Sequence, residues 1–173
     1  MPPASFVRRL ARLRVPLGFV FGALVLYLAH PTWRSLFAGA AVGCVGEGIR
    51  FWAAGHLEKS REVTQSGPYR FTRHPLYAGS SVMALGVAIG TASWSVLGLV
   101  AAYMGATITA AIRTEEAFLR ERFGDEYDAY ARSRAPAVAR AFSLERAWRN
   151  REYRAMSGLA AAIALLAAKA AWF

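Results

Sequence analysis

The sequence predicts an all-α fold, a polytopic membrane helix bundle of about five transmembrane helices with helical segments on the cytoplasmic side. Two observations carry that expectation. Apolar residues make up 55% of the 173-residue chain against 18% charged, and they fall in blocks close to the length of a membrane span. The excess of ten positive charges lies mostly between those blocks, where the positive-inside bias puts it. The length suits a single domain. Such a charge also suits nucleic acid, but no RNA- or DNA-binding motif accompanies it, so no nucleic-acid partner is expected.

The first span is expected at about 15–29, behind Arg8, Arg9, Arg12 and Arg14. No small-x-small cleavage site follows, and the run leads into His30-Pro31-Thr32-Trp33, so it reads as an uncleaved span ending at an interfacial Trp33. The second span is expected at about 36–56. Gly39, Gly43 and Gly46 give it a face of small residues for close packing. Glu47 and Arg50 stand three apart on the same helix. Charges at such depth face a bundle interior, and two uses are open: a mutual pair that holds the bundle together, or the lining of a polar pocket that opens towards the cytoplasm. Cys44 lies in the same block and reads as a small buried hydrophobe.

Residues 57–74 form a polar loop that leads through Gly67-Pro68-Tyr69-Arg70-Phe71-Thr72-Arg73-His74 into Pro75-Leu76-Tyr77. Gly67-Pro68 marks a turn. Pro75 pushes His74 out of the helical region and can itself be the first residue of a helix. Arg70, Arg73, His74 and Tyr77 then surround unpaired amides at a helix start, which suits an anionic ligand or lipid phosphates. The third and fourth spans, about 75–92 and 94–112, are joined by Gly90-Thr91-Ala92-Ser93 as a helical hairpin. The hairpin returns the chain to the side it left, so Arg113-Thr114-Glu115-Glu116 should lie beside the Arg73-His74-Pro75 segment.

Beyond that point Leu119, Phe123, Tyr127 and Tyr130 make an apolar stripe of helical period. Glu115, four residues before Leu119, shares this buried stripe, whereas Glu116 is set for a surface pair with Arg120. Gly124 can end one helix and Asp125 begin the next. A basic region with Arg132, Arg134, Arg140, Arg146, Arg149, Arg151 and Arg154 is broken by Pro136. Phe142, Leu144, Trp148 and Tyr153 within it suit an interfacial helix. The last run, 156–173, is either a fifth span or a helix packed along the bundle. Lys and Arg number four in 1–14, four in 57–74 and ten in 113–155, against Arg34 and Lys169 on the other side. The N-terminus and the motif loop are thus assigned to the cytoplasm. His30, His56 and His74 are not at metal-ligand spacing, and no bound metal is expected. Lys is confined to Lys59 and Lys169 while Arg and Ala abound, a bias associated with GC-rich bacterial genomes, which points to a bacterial inner membrane.

The ordered pattern Gly67-Pro68-Tyr69-Arg70, Arg73-His74-Pro75-Leu76-Tyr77, apolar hairpin, Glu115-Glu116 and Phe123-Gly124-Asp125-Glu126-Tyr127 resembles the isoprenylcysteine carboxyl methyltransferase family, a group that includes phospholipid methyltransferases. The resemblance covers about residues 65–130. It implies a membrane enzyme that uses S-adenosylmethionine, with Tyr69, Arg73, His74, Pro75, Tyr77, Glu115 and Glu116 around the cofactor. Arg73, Glu115 and Arg50 are the expected catalytic residues. Glu47, Arg50 and Arg113 are the expected contacts to a lipophilic or small acidic acceptor. The C-terminal pattern departs from the family: the expected basic-aromatic-proline end is reduced to Arg134-Ala135-Pro136-Ala137-Val138. Two other readings compete. Membrane sterol reductases share this architecture and use NADPH, but carry Asn where Pro75 stands. A non-enzymatic membrane protein with a basic, lipid-binding face is the other.

Overall fold

The structure is a computed structural model that describes residues 20–132 and 139–172. The N-terminal arginines, the start of the first apolar run and the Pro136 segment lie outside the described residues. Helix α1 covers 20–28, and α2 is Trp33–His56. A 3₁₀ turn at Gly67–Arg70 precedes α3, Pro75–Gly90. The chain continues through α4 (Trp94–Phe123), α5 (Asp125–Ala131), α6 (Leu144–Arg149) and α7 (Tyr153–Trp172), with no strand among the described residues.

Local chemistry sets most boundaries. Thr32 accepts from the Ser35 amide at 3.1 Å while Ser35 Oγ accepts from the Thr32 amide at 3.0 Å, a reciprocal cap. Trp33 therefore opens α2 instead of closing the first span. Pro75 starts α3 with His74 at its cap, and Ser93 caps α4. Gly124, at φ +49°, ends α4 and leads directly into α5, a backbone conformation that glycine adopts without a Cβ penalty. Two boundaries differ from expectation. Helix α4 continues without a break past Ile112 to Phe123, because nothing in Arg113-Thr114-Glu115-Glu116 interrupts helical hydrogen bonding. The interfacial helix shrinks to α6, since Arg151 takes φ +60° and separates it from α7.

The tightest packing is between α2 and α3. Gly39, Gly43 and Gly46 face Gly79, Gly86 and Gly90 across an interface where backbone meets backbone. A Cβ on Gly46 would lie 2.7 Å from the Gly79 carbonyl oxygen, and one on Gly39 would lie 2.7 Å from Gly90 Cα. The small face predicted on α2 thus has α3 as its partner. Helix α7 lies along this pair, with Leu159 against Gly43 and Leu166 packed with Ala29 and Leu36. At the far end the His30 amide donates to the Thr91 carbonyl at 2.7 Å, and Lys169 donates to the Leu26 carbonyl at 2.6 Å.

Helix α4 is held differently. Only Val96 and Val100 are buried along its length, in a cluster with Val25 and Ala88. Beyond them an apolar groove of about 320 Å³ opens between α3 and α4, lined by Ala84, Leu85, Leu97, Ala101, Met104 and Ile108 among others.

Two helices, α4 and α7, are long and apolar enough to cross a membrane. This is fewer than the five spans expected from apolar blocks. Helix α3 is apolar but has 16 residues, and Arg34, Glu47 and Arg50 dilute α2.

Candidate active site

The site lies at the end of the bundle where α2 finishes, α3 begins and α4 meets α5. The chain reaches it through a buried turn. His56 Nδ1 lies 3.1 Å from Ser66 Oγ, and Gly67, at φ +57°, passes over the His56 ring so closely that a Cβ would stand 2.5 Å from its Cδ2. Pro68 and Tyr69 are buried by the turn that follows. Tyr130 of α5 donates its hydroxyl to the Tyr69 carbonyl at 2.7 Å, which fastens α5 over the loop.

The two motifs predicted to meet do meet. Glu116 Oε1 stands 3.1 Å from Arg73 Nη1 and 3.1 Å from His74 Nε2, while Oε2 stands 3.5 Å from Arg120 Nη2. Burial alone raises the Glu116 pKa, but the His74 hydrogen bond and the Arg73 and Arg120 charges outweigh it and hold the carboxyl below its ordinary value. The expected Glu116–Arg120 surface pair is present, yet the main contact of Glu116 is across the hairpin. Glu115 is the exposed member of the two, contrary to its expected place on the buried stripe. The face α4 turns inward carries Glu116, Leu119 and Phe123, all at least half-buried, and Glu115 stands one position around from it. There it meets the Tyr77 hydroxyl, and its charge is felt by Tyr69. No ion pair of Glu115 occurs among the described residues. Tyr127 is buried beside this clamp, with Arg120 over its ring at 5.6 Å.

A second polar cluster lies one turn deeper. Arg50 donates to Glu152 twice, Nε to Oε1 at 2.7 Å and Nη2 to Oε2 at 3.2 Å. Its Nη1 also donates to Ser80 Oγ and, at 3.3 Å, to the Leu76 carbonyl. Arg50 thereby ties α2 to the first turn of α3 and to the entry of α7. Glu47 is only a distant partner at 4.0 Å from Arg50, and neither of its buried carboxylate oxygens has a hydrogen-bond partner among the described residues. Of the two uses left open for the pair, mutual pairing is weak, and the fork of Arg50 that suits an acidic head group is filled by Glu152. Arg113 is exposed and has no side-chain hydrogen bond or ion pair among the described residues. Glu152 and Ser80 were not legible as site residues: Glu152 sits among arginines in Arg151-Glu152-Tyr153-Arg154 and looks like a solvated charge. Its one signal is that it is the last acid before an apolar run.

Fold and site together define a helical, membrane-associated protein whose two polar motifs are joined by a hairpin into one cup. The chain matches the phospholipid methyltransferase family over residues 44–126. It is 33% identical over 156 residues to the nickel-cobalt-cadmium resistance protein NccN of Alcaligenes xylosoxydans xylosoxydans, which covers 84% of this chain and 71% of that protein. It is 32% identical over 147 residues to the cobalt-zinc-cadmium resistance protein CzcN of Cupriavidus metallidurans, covering 80% of this chain and 66% of that one. No solved structure matches the chain. The chain belongs to the phospholipid methyltransferase family.

Proposed function

We propose that the protein is an S-adenosylmethionine-dependent methyltransferase of the bacterial inner membrane that methylates a lipophilic acceptor, by carboxyl O-methylation or lipid methylation. The observation that carries this reading is the Arg73/His74–Glu116 clamp, beside which Glu115 meets Tyr77 and has no ion pair among the described residues. Family membership supports methyl transfer over the NADPH-dependent reduction that the same architecture also permits.

The side chains in the cup fit the cofactor's chemistry. When bound, S-adenosylmethionine supplies a methyl group already activated by its sulfonium charge. Arg73 faces Glu116 through Nη1 and would receive a carboxylate on its other guanidinium nitrogens. Glu115 would accept from ribose hydroxyls or face the sulfonium, and Tyr69 and Tyr77 would pack against the adenine or the cation. His74 and Glu116 hold these groups in register, and Pro75 fixes the direction in which α3 leaves the cup. With an activated methyl donor the work left to the protein is orientation and exclusion of water. The groove between α3 and α4 rises from the apolar half of the bundle towards Tyr77 and Glu115, and would admit a hydrocarbon tail.

The motif loop, α5 and α6 share one end of the bundle with most of the described Arg residues, and we assign that end to the cytoplasm. Five spans remain our reading of the intact topology, with α2 and α3 crossing as a glycine-packed pair. The resistance names of the two relatives suggest metal stress as the setting of the reaction.

Isothermal titration of detergent-purified protein with S-adenosylmethionine and with NADPH tests the cofactor. Binding of the former alone is expected, and Arg73→Ala and Glu115→Ala should each weaken it by about tenfold or more. Tritium transfer from methyl-labelled cofactor to membrane lipids tests the reaction. NADPH binding without S-adenosylmethionine binding would end the proposal.

A further inference from the structure

Helix α2 carries an exposed apolar stripe on the side opposite the glycines that meet α3. Phe37, Ala41, Val45, Gly48 and Trp52 recur at helical spacing and are all exposed, Phe37 at 70% and Val45 at 60%. At about 1.5 Å per residue the stripe is about 22 Å long, more than one leaflet's share of a hydrocarbon core about 30 Å thick. Trp52 ends it at the wall of a polar cavity of about 410 Å³, walled also by His56, Gly67, Arg70 and Arg140. None of Arg73, His74, Tyr77, Glu115 and Glu116 lines this cavity, so it is separate from the cup.

The cavity is positive. No carboxylate lines it, and the charges of Arg146, Arg140 and Arg70 all reach His56 on its wall. Arg140 is answered by Glu62, Nη2 to Oε2 at 2.6 Å, and Arg146 stands 3.7 Å from Glu58. Arg70, expected around the start of α3, has no hydrogen bond or ion pair among the described residues. Its guanidinium lies 5.7 Å from the centre of the Phe71 ring, which in turn lies 6.4 Å from the Trp52 ring. His56 Nδ1 faces Ser66 Oγ at 3.1 Å, and a hydroxyl donating there leaves the ring proton on Nε2 as a further donor. One feature opposes an anion: α2 ends here, and the carbonyls at a helix C-terminus repel negative charge. Those carbonyls are already engaged. Gly55 accepts from the Ser143 amide at 3.1 Å and from Arg146 Nε at 2.9 Å. His56 accepts from Arg140 at 3.4 Å, and Ala54 and Leu57 each accept from Asn150 at 2.9 Å.

The occupant must bring an anion to Arg70 and apolar cover to the stripe that leads there. We propose that the cavity and the stripe together bind one anionic phospholipid of the adjoining leaflet, its phosphate on Arg70 and an acyl chain along α2. Arg70 selects the head group, and Trp52 marks the level at which head group gives way to chain. The stripe lies on the far side of α2 from α3, so the lipid held here is a fixed ligand and not the acceptor admitted between α3 and α4. It fastens the end of α2, the motif turn and the segment 139–150 to the membrane surface. The site rests on membrane association and not on methyl transfer.

The test offers phosphatidylglycerol and phosphatidylcholine of equal chain length, at equal concentration, to the full chain in neutral maltoside detergent. Retained lipid is read by native mass spectrometry. The wild type should hold one phosphatidylglycerol about tenfold tighter than phosphatidylcholine, whose ammonium would face the arginines; the ratio is that of one charge-assisted hydrogen bond. Arg70→Gln should remove the preference, and Arg122→Gln, at an exposed arginine of α4, should keep it. Equal retention of the two lipids by the wild type overturns the proposal, with no need for a variant to fold. So does a preference that survives Arg70→Gln or is lost equally in Arg122→Gln. Two competitors then fix the source and the place. Glycerol 3-phosphate at millimolar concentration should leave phosphatidylglycerol bound; if it displaces the lipid, the cavity takes a soluble anion and the lipid assignment falls. Displacement by S-adenosylmethionine would put the lipid in the cup and overturn its placement on α2.

Discussion

Helix α3 is joined to α2 and to α4 in opposite ways. Against α2 it has a seam of facing glycines, backbone on backbone, cross-linked by Arg50 to Leu76, Ser80 and Glu152. Against α4 it has contact near the Thr91 turn, an ion-pair clamp at Glu116, and an apolar groove between. The first interface has no room for a ligand and the second is held only at its ends. The methyltransferase activity proposed above would use both: a rigid wall to carry the polar groups, and a side that admits a hydrocarbon chain without unfolding the bundle.

The contrast can be broken most severely at Glu152. Its removal in Glu152→Ala leaves the part-buried Arg50 without its main partner, a loss that reaches about 3–5 kcal/mol in fully buried pairs. The thermal midpoint in detergent should fall accordingly, more than for any substitution at the Glu116 clamp. Next comes Gly86→Leu in the seam. There is no space for the side chain, since even a Cβ would stand 2.6 Å from the Gly39 carbonyl oxygen, and overpacking costs about 1–3 kcal/mol or more. The same measurement on Ala101→Leu, across the groove, should show a change below about 0.5 kcal/mol. If both leucines destabilise equally, the two interfaces are not different in kind.

Activity should respond in the opposite order. Ala101→Trp fills the groove, and methylation of long-chain acceptors should drop by about tenfold, a loss of roughly 1.4 kcal/mol, while cofactor binding by titration stays unchanged. The smallest effect is expected from pH. The Glu116 carboxyl is held below its ordinary value of 4.5, so the stability it contributes is full above that value. It is lost as pH falls through the lower, folded value. The difference in thermal midpoint between wild type and Glu116→Gln should therefore narrow on acidification below about pH 4.5. A difference that widens instead would mean that Glu116 is not held by its cations.

Much of the fold was legible because it is closed by bonds of short sequence range. The Thr32–Ser35 cap, Pro75 at the start of α3, the Ser93 cap and Gly124 each decide a boundary within a few residues. The hairpin between α3 and α4 then brings Arg73-His74 to Glu116 from connectivity alone. The same logic failed where an interruption was assumed: α4 simply continues past Ile112. It failed again at Glu115 and Glu116, because helical periodicity ranks the faces of α4 but does not say which of them turns towards α3.

The sequence by itself determined an all-helical chain, the meeting of its two polar motifs, and the small-residue face of α2, all consequences of local hydrogen bonding and helical spacing. The tertiary structure alone decided that Arg50 answers to Glu152, 102 residues away, that Glu47 has no donor among the described residues, and that α4 stands off to open a groove. These outcomes depend on how helices rotate and approach one another. Such rotations are set by packing summed over the whole bundle, to which no short stretch of residues gives a reading.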